Sequence, residues 1–131
     1  MCPHVDSIIF DKRAVKRNLK IQLDDGENLL GAIKEAMAQH KISECKVEDI
    51  EGEMKDGFIN YFEGSSYKNA SLANRKMLRA SGTFRLNFGE LWGTMHISTA
   101  DKRPLSGTFV KGTAKEGLKI RLSFIDMNPQ A

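Results

Sequence analysis

Only two cysteines occur in this chain of 131 residues, Cys2 and Cys45, and neither lies in a Cys-any-any-Cys pair. That rules out a disulfide scaffold, thioredoxin-type chemistry and a thiolate zinc quartet, and leaves free thiols as the expectation. Only three prolines occur and no segment is of low complexity, so neither collagen nor a disordered tract is encoded. No apolar run reaches the roughly 20 residues that cross a bilayer. The first ten residues carry His4 and Asp6 where a signal peptide would be basic and then apolar, which makes the cytoplasm the expected compartment and a membrane partner unexpected. No serine sits in a Gly-any-Ser-any-Gly elbow, and phosphate-loop and dinucleotide fingerprints are missing.

What remains is an ordinary globular composition with 40% hydrophobic residues and a formal charge of +3. A chain of this length is expected to form a single domain over 1–131, with its core at about 14–126. Val15, Leu19, Ile21 and Leu23 alternate with Lys16, Asn18, Lys20 and Gln22, the pattern of a strand with one buried face. Asp24, Asp25 and Gly26 read as a turn and capping site, with Glu27 in the first turn of a helix that ends near His40 or Lys41. Leu29, Ile33, Met37 and His40 give that helix its apolar stripe.

Short extended runs follow at 45–53 and 58–62, separated by a predicted turn at Lys55, Asp56 and Gly57, and 64–74 reads as a surface loop with a basic far end. Phe58, Ile59, Tyr61 and Phe62 are apolar on both strand faces, which suits a sheet centre or a subunit contact. Leu78, Ala80, Gly82, Phe84, Leu86 and Phe88 mark the packed face of the clearest strand. Two further strands flank a turn at 101–104, and Leu118, Ile120, Leu122 and Phe124 form the last. The expected fold class is α+β, a mostly antiparallel sheet of six or seven strands with one main helix packed on it.

Trp92, Thr94, His96 and Ser98 share one face of a strand, so a single imidazole is flanked by hydroxyls. The plain reading of His96 is a strand histidine bonded to a neighbouring hydroxyl or carbonyl, and that of Trp92 is packing. His40 reads as a helix cap, and His4 carries no inference. Basic residues gather near both ends, Lys12, Arg13, Lys16 and Arg17 at one and Lys111, Lys115, Lys119 and Arg121 at the other; they merge into one patch if the first and last strands are neighbours.

The order of several short motifs resembles a known family. Gly26, Glu27, Asn28, Leu29 and Leu30, then Gly52 through Phe62, then Ser81, Gly82 and Thr83, and finally the His96 strand with Ser106, Gly107 and Thr108, are similar to the successive motifs of the plants-and-prokaryotes-conserved (PPC) domain. The resemblance implies Gly26, Glu27, Gly52, Gly82 and Gly107 as structural positions and a homotrimer assembled through the sheet. Metal-competent members carry a His-any-His pair and a Gly-Gly-His on the next strand; Thr94, His96 and Thr108 stand in those places here, and a cation at Lys76 replaces an acidic residue. One imidazole and two hydroxyls make a poor zinc site, so no metal or other cofactor is expected. The Arg-Gly-Arg-Pro hook of plant relatives is missing from the chain. The leading expectation is therefore a homotrimeric regulatory or interaction module, without a catalytic role, whose partner beyond itself is DNA or a DNA-bound protein. The alternative is a ligand-binding protein or metal-independent enzyme with an intersubunit pocket around Trp92, Thr94, His96 and Thr108.

Overall fold

The computed structural model describes residues 15–126, so Cys2, His4, Lys12 and Arg13 lie outside it. The described chain runs β1 (Val15–Gln22), α1 (Leu29–Gln39), β2 (Glu44–Glu63), β3 (Ser66–Ser71), β4 (Arg75–Asn87), β5 (Glu90–Thr99), β6 (Ser106–Ala114) and β7 (Lys119–Asp126). Every named pairing is antiparallel. The order across the sheet is β1-β7-β2-β4-β5-β6, and β6 pairs back onto β2. That last pairing closes β2, β4, β5 and β6 into a barrel.

The α+β expectation of an antiparallel sheet with one main helix packed on it is thus overturned: the chain is mostly β, and the sheet covers its own apolar face. The cause lies in β2, whose 20 residues pair with β7 and β4 through the first half and with β6 and β3 through the second. The helix has only 11 residues; its buried Leu29, Ile33 and Met37 join the core but do not organise it. Among the described residues one apolar cluster includes Met54, Ile59, Phe84, Met95, Ile97 and Phe109 from the barrel strands.

Several local expectations change for related reasons. Lys55, Asp56 and Gly57 are not a turn between two strands but a bend inside β2, marked by irregular register at Met54/Asp56 and Phe58/Ile59. Gly57 makes the bend possible: its φ is 147°, and a Cβ there would lie 2.5 Å from the Lys111 carbonyl oxygen and 2.8 Å from the Gly112 Cα. The stretch read as a loop contains β3, a short strand paired with the end of β2. In β4 a register shift between Met77 and Arg79 buries Met77 and turns Leu78 outward. Phe88 does not pack either: it occupies the β4–β5 turn at φ 52° and is 97% exposed.

The helix is capped by Asn28, whose Oδ1 accepts from the Gly31 N–H at 2.8 Å, and not by Asp24 or Asp25. Glu27 lies before the helix, where its carboxylate accepts from the Asp24 N–H at 2.9 Å. At the other end the His40 backbone N–H donates to the Ala36 carbonyl at 3.0 Å. Among the described residues no helix is long and apolar enough to cross a membrane.

Candidate functional site

A closed barrel of four strands fills its interior with side chains, so chemistry has to be sought on its outer surface. The alternation read in β5 is real: Met95 and Ile97 are buried, while Trp92, Thr94 and His96 are exposed. On this outer face His96 lies opposite Ser81 of β4 and Thr108 of β6, and the row continues from Thr108 to Asn60 of β2 and Asn69 of β3. The result is a band of polar groups, without a lysine, arginine or carboxylate, crossing five strands. Gly107 lets β6 run this close to β2, because a Cβ there would collide with the Asn60 carbonyl oxygen. Gly52 and Gly82 stand in the barrel wall opposite Met77 and Met95, and Gly26 has φ 80° in the turn before the helix.

His96 Nε2 is 2.8 Å from Ser106 Oγ, which is in turn 2.9 Å from Ser98 Oγ. The sequence names Ser106 only as part of the motif with Gly107 and Thr108 and not as a partner of His96, although its spacing from Thr108 places both on the face that meets His96. Beside this chain of hydrogen bonds is a cavity of about 270 Å³ lined by Asn60, Tyr61, Phe62, Tyr67, His96, Ser106, Gly107 and Thr108. Phe62 and Tyr67 stand edge to face across β2 and β3, with ring centroids 4.6 Å apart. Of the residues expected to line a pocket, the cavity takes in His96 and Thr108. Thr94 shares their face, but its neighbour across β4 is Thr83. Trp92 is further along, opposite Arg85, and at 61% exposed it is mostly open rather than packed among the described residues.

The donor set does not suit a metal. Among the described residues no three His, Cys, Asp or Glu side chains converge, and the one imidazole at the site already shares its Nε2 with a hydroxyl. A His–Ser pair at 2.8 Å has the geometry in which an imidazole takes a hydroxyl proton, yet no described carboxylate is hydrogen-bonded to the ring to orient it.

Antiparallel pairing makes β1 and β7 neighbours and sets Lys20 opposite Arg121, but Lys16 and Arg17 lie opposite Ile125 and Phe124, and Lys111 and Lys115 lie on and after β6, so the two terminal clusters do not merge in register. β2 then places Asp49 opposite Arg121 and Glu51 opposite Lys119, which largely balances the charge. Glu48 lies in the same region and accepts from the Ser123 hydroxyl at 3.0 Å; that hydrogen bond holds its carboxyl below the ordinary range, helped by Lys16, Lys46 and Arg121. Cys45 is a free buried thiol whose Sγ lies 3.7 Å from Met37 Sδ, and burial pushes its pKa up to about 11.

Comparison with solved structures places this architecture. A plant- and prokaryote-conserved (PPC) protein from Pyrococcus horikoshii superposes with a TM-score of 0.65 at 22% identity, over 84% of this chain and 78% of that one. The fold is that of a PPC protein. A metal-containing protein from Archaeoglobus fulgidus is similar at a TM-score of 0.70 and 15% identity, over 86% of this chain and 81% of that one. A candidate DNA-binding protein from Ralstonia eutropha has a TM-score of 0.63 at 13% identity, over 89% of this chain and 85% of that one. No protein-family profile and no curated protein matches the sequence. The PPC fold thus agrees with the ordered motifs, while the three positions that the resemblance matched to metal-binding histidines hold one histidine and two threonines, Thr94, His96 and Thr108.

Proposed function

We propose that this chain is a PPC-like regulatory or interaction module that assembles as a homotrimer through its outer sheet surface and works on DNA or a DNA-bound partner. The observation that carries the self-association is the set of exposed apolar side chains Phe58, Phe62, Tyr67 and Val110 on β2, β3 and β6, around the polar His96 band. Phe62 is 69% exposed and Tyr67 59%, on a surface whose centre carries no charged group; that is the composition of a contact core more than of a solvated face. DNA association draws on the net positive charge of the chain and on the DNA-binding descriptions attached to similarly folded proteins. Sedimentation velocity at micromolar concentration tests the assembly: a trimer supports it, and a strict monomer removes it.

A second reading is favoured by the 270 Å³ cavity and the His96–Ser106 contact: a small-molecule site completed by a neighbouring subunit, acting without a metal. Replacing His96 with alanine separates the two. Loss of a ligand-induced thermal shift with the oligomer intact supports the site, whereas loss of assembly assigns His96 to the interface.

A further inference from the structure

The structure joins two basic segments that are far apart in sequence. Lys76 and Arg79 lie at the start of β4, and Lys102 and Arg103 lie in the turn between β5 and β6; all four are exposed. The turn is fixed against β4 from several directions. The Ala100 N–H donates to the Lys76 carbonyl at 2.9 Å, and Asp101 forms an ion pair with Arg75. Within the turn the Thr99 N–H donates to the Leu105 carbonyl at 2.9 Å, and the Leu105 N–H returns a bond to the fully buried Thr99 hydroxyl at 2.9 Å.

Two consequences follow. The only carboxylate of the turn, Asp101, is neutralised by Arg75, and the nearest acid across β2, Glu53, is engaged by Lys115 at 3.0 Å. Lys76, Arg79, Lys102 and Arg103 make no ion pair or side-chain hydrogen bond among the described residues, so a concentration of uncompensated charge stands at one end of the barrel. The β1–β7 surface, by contrast, has its cations interleaved with Glu48, Asp49 and Glu51. Long cationic side chains on a preordered turn, with no acceptor of their own, suit an extended polyanion whose charges repeat along a line.

We propose that the barrel end formed by the start of β4 and the 100–104 turn is a docking surface for the phosphate backbone of duplex DNA. The inference rests on the DNA-associated reading given above and deepens it by assigning the contact surface. Lysine and arginine contacts to phosphate position a protein without reading bases, so binding here is sequence-independent and steeply salt-dependent.

The test is fluorescence anisotropy with a labelled mixed-sequence duplex, titrated from low to moderate salt with the full chain, its Lys102→Gln/Arg103→Gln double variant, an Arg79→Gln variant and a Lys20→Gln/Lys119→Gln control. Each phosphate contact removed lowers the slope of log affinity against log salt by about 0.9, so the turn variant loses about 1.8 in slope and roughly 60-fold in affinity near 0.1 M salt for each barrel end that engages the duplex. Arg79→Gln loses about half that slope, while the control stays with the wild type. A turn variant that binds like the wild type, or a control that loses as much as the turn variant, overturns this surface and leaves DNA association standing. A wild-type chain that binds no duplex even at low salt overturns the DNA reading itself, and this surface with it. Unchanged melting temperatures confirm that these exposed substitutions report on binding.

Discussion

Replacing Phe62 with alanine isolates the contribution of the aromatic rim to assembly. A phenylalanine buries on the order of 200 Å² when fully covered. With 69% of Phe62 open in the single chain, a partner can still cover roughly 140 Å² of it, worth about 3.5 kcal/mol at ~25 cal/mol per Å². The alanine methyl retains a little, so the loss is about 3 kcal/mol per protomer and about 9 kcal/mol per trimer. Trimer formation scales with the square of protomer concentration at half-assembly, so the midpoint moves by about 4.5 kcal/mol, or roughly two-thousandfold. Within the monomer the substitution removes the edge-to-face contact with Tyr67, about 1 kcal/mol, together with the minor share of the side chain already covered, so folding survives. Sedimentation velocity across a concentration series reads the shift directly. Coincident trimer-to-monomer curves for Phe62→Ala and the wild type would refute the placement of the interface on this face.

Gly57→Ala is expected to cost about 3 kcal/mol or more, since φ 147° and the Lys111 carbonyl at 2.5 Å both exclude a Cβ; urea unfolding that finds the variant within 1 kcal/mol of wild type contradicts the closure of β2 on β6. The Cys45 thiol, with its folded pKa raised to about 11 from 9.0, favours folding while protonated, so its contribution is complete below about pH 9 and declines as pH rises toward 11. Cys45→Val should flatten that part of the stability profile, and an unchanged alkaline decline contradicts the assignment. Glu48 has its folded pKa lowered, chiefly by the Ser123 hydroxyl, so its contribution is present above the ordinary carboxyl pKa and is lost as pH falls through the folded value. In Ser123→Ala, carbon-detected NMR should find the Glu48 titration moved upward; an unmoved titration shows that the lysines and Arg121 suffice.

Local order was largely legible in the sequence and closure was not. The period-two patterns of β5 and β7 and the apolar stripe of α1 follow from burial that each segment shows by itself. Barrel closure depends on β2 meeting β4 and β6 together, a relation between distant segments that no local pattern records. The Lys55, Asp56 and Gly57 cluster misled for a physical reason: the composition that makes a turn also makes a bulged bend. β3 was hidden because both its faces are largely exposed, which leaves no alternation to read. At the site, the common face of Thr94, His96 and Ser98 was visible, whereas the Ser106 partner and the aromatic wall of Phe62 and Tyr67 needed the register between strands. The basic end was split in the sequence between a loop terminus and a turn, and its halves meet through the β4–β5 register, the Arg75–Asp101 pair and the Ala100–Lys76 hydrogen bond.

The closed barrel also constrains how the proposed functions can be divided. Met54, Ile59, Phe84, Met95 and Ile97 occupy its buried side, so ligands and partners must share the outside and the ends. The aromatic and hydroxyl face offers apolar area and no charge at its centre, which suits a lasting protein contact and is nearly indifferent to salt. The basic end offers exposed charge on a fixed turn, which suits a contact that salt dissolves. Ser98 and Ser106 lie where these surfaces meet, since Arg79 is opposite Ser98 and Ser98 is opposite Ser106. Assembly would therefore multiply the basic ends without consuming them, and DNA affinity should rise with oligomerisation more steeply than any single end explains. Phe62→Ala, by weakening assembly while leaving Lys102 and Arg103 untouched, should lower DNA affinity and reduce the salt slope together. A slope unchanged in a monomeric Phe62→Ala protein would show that one barrel end acts alone.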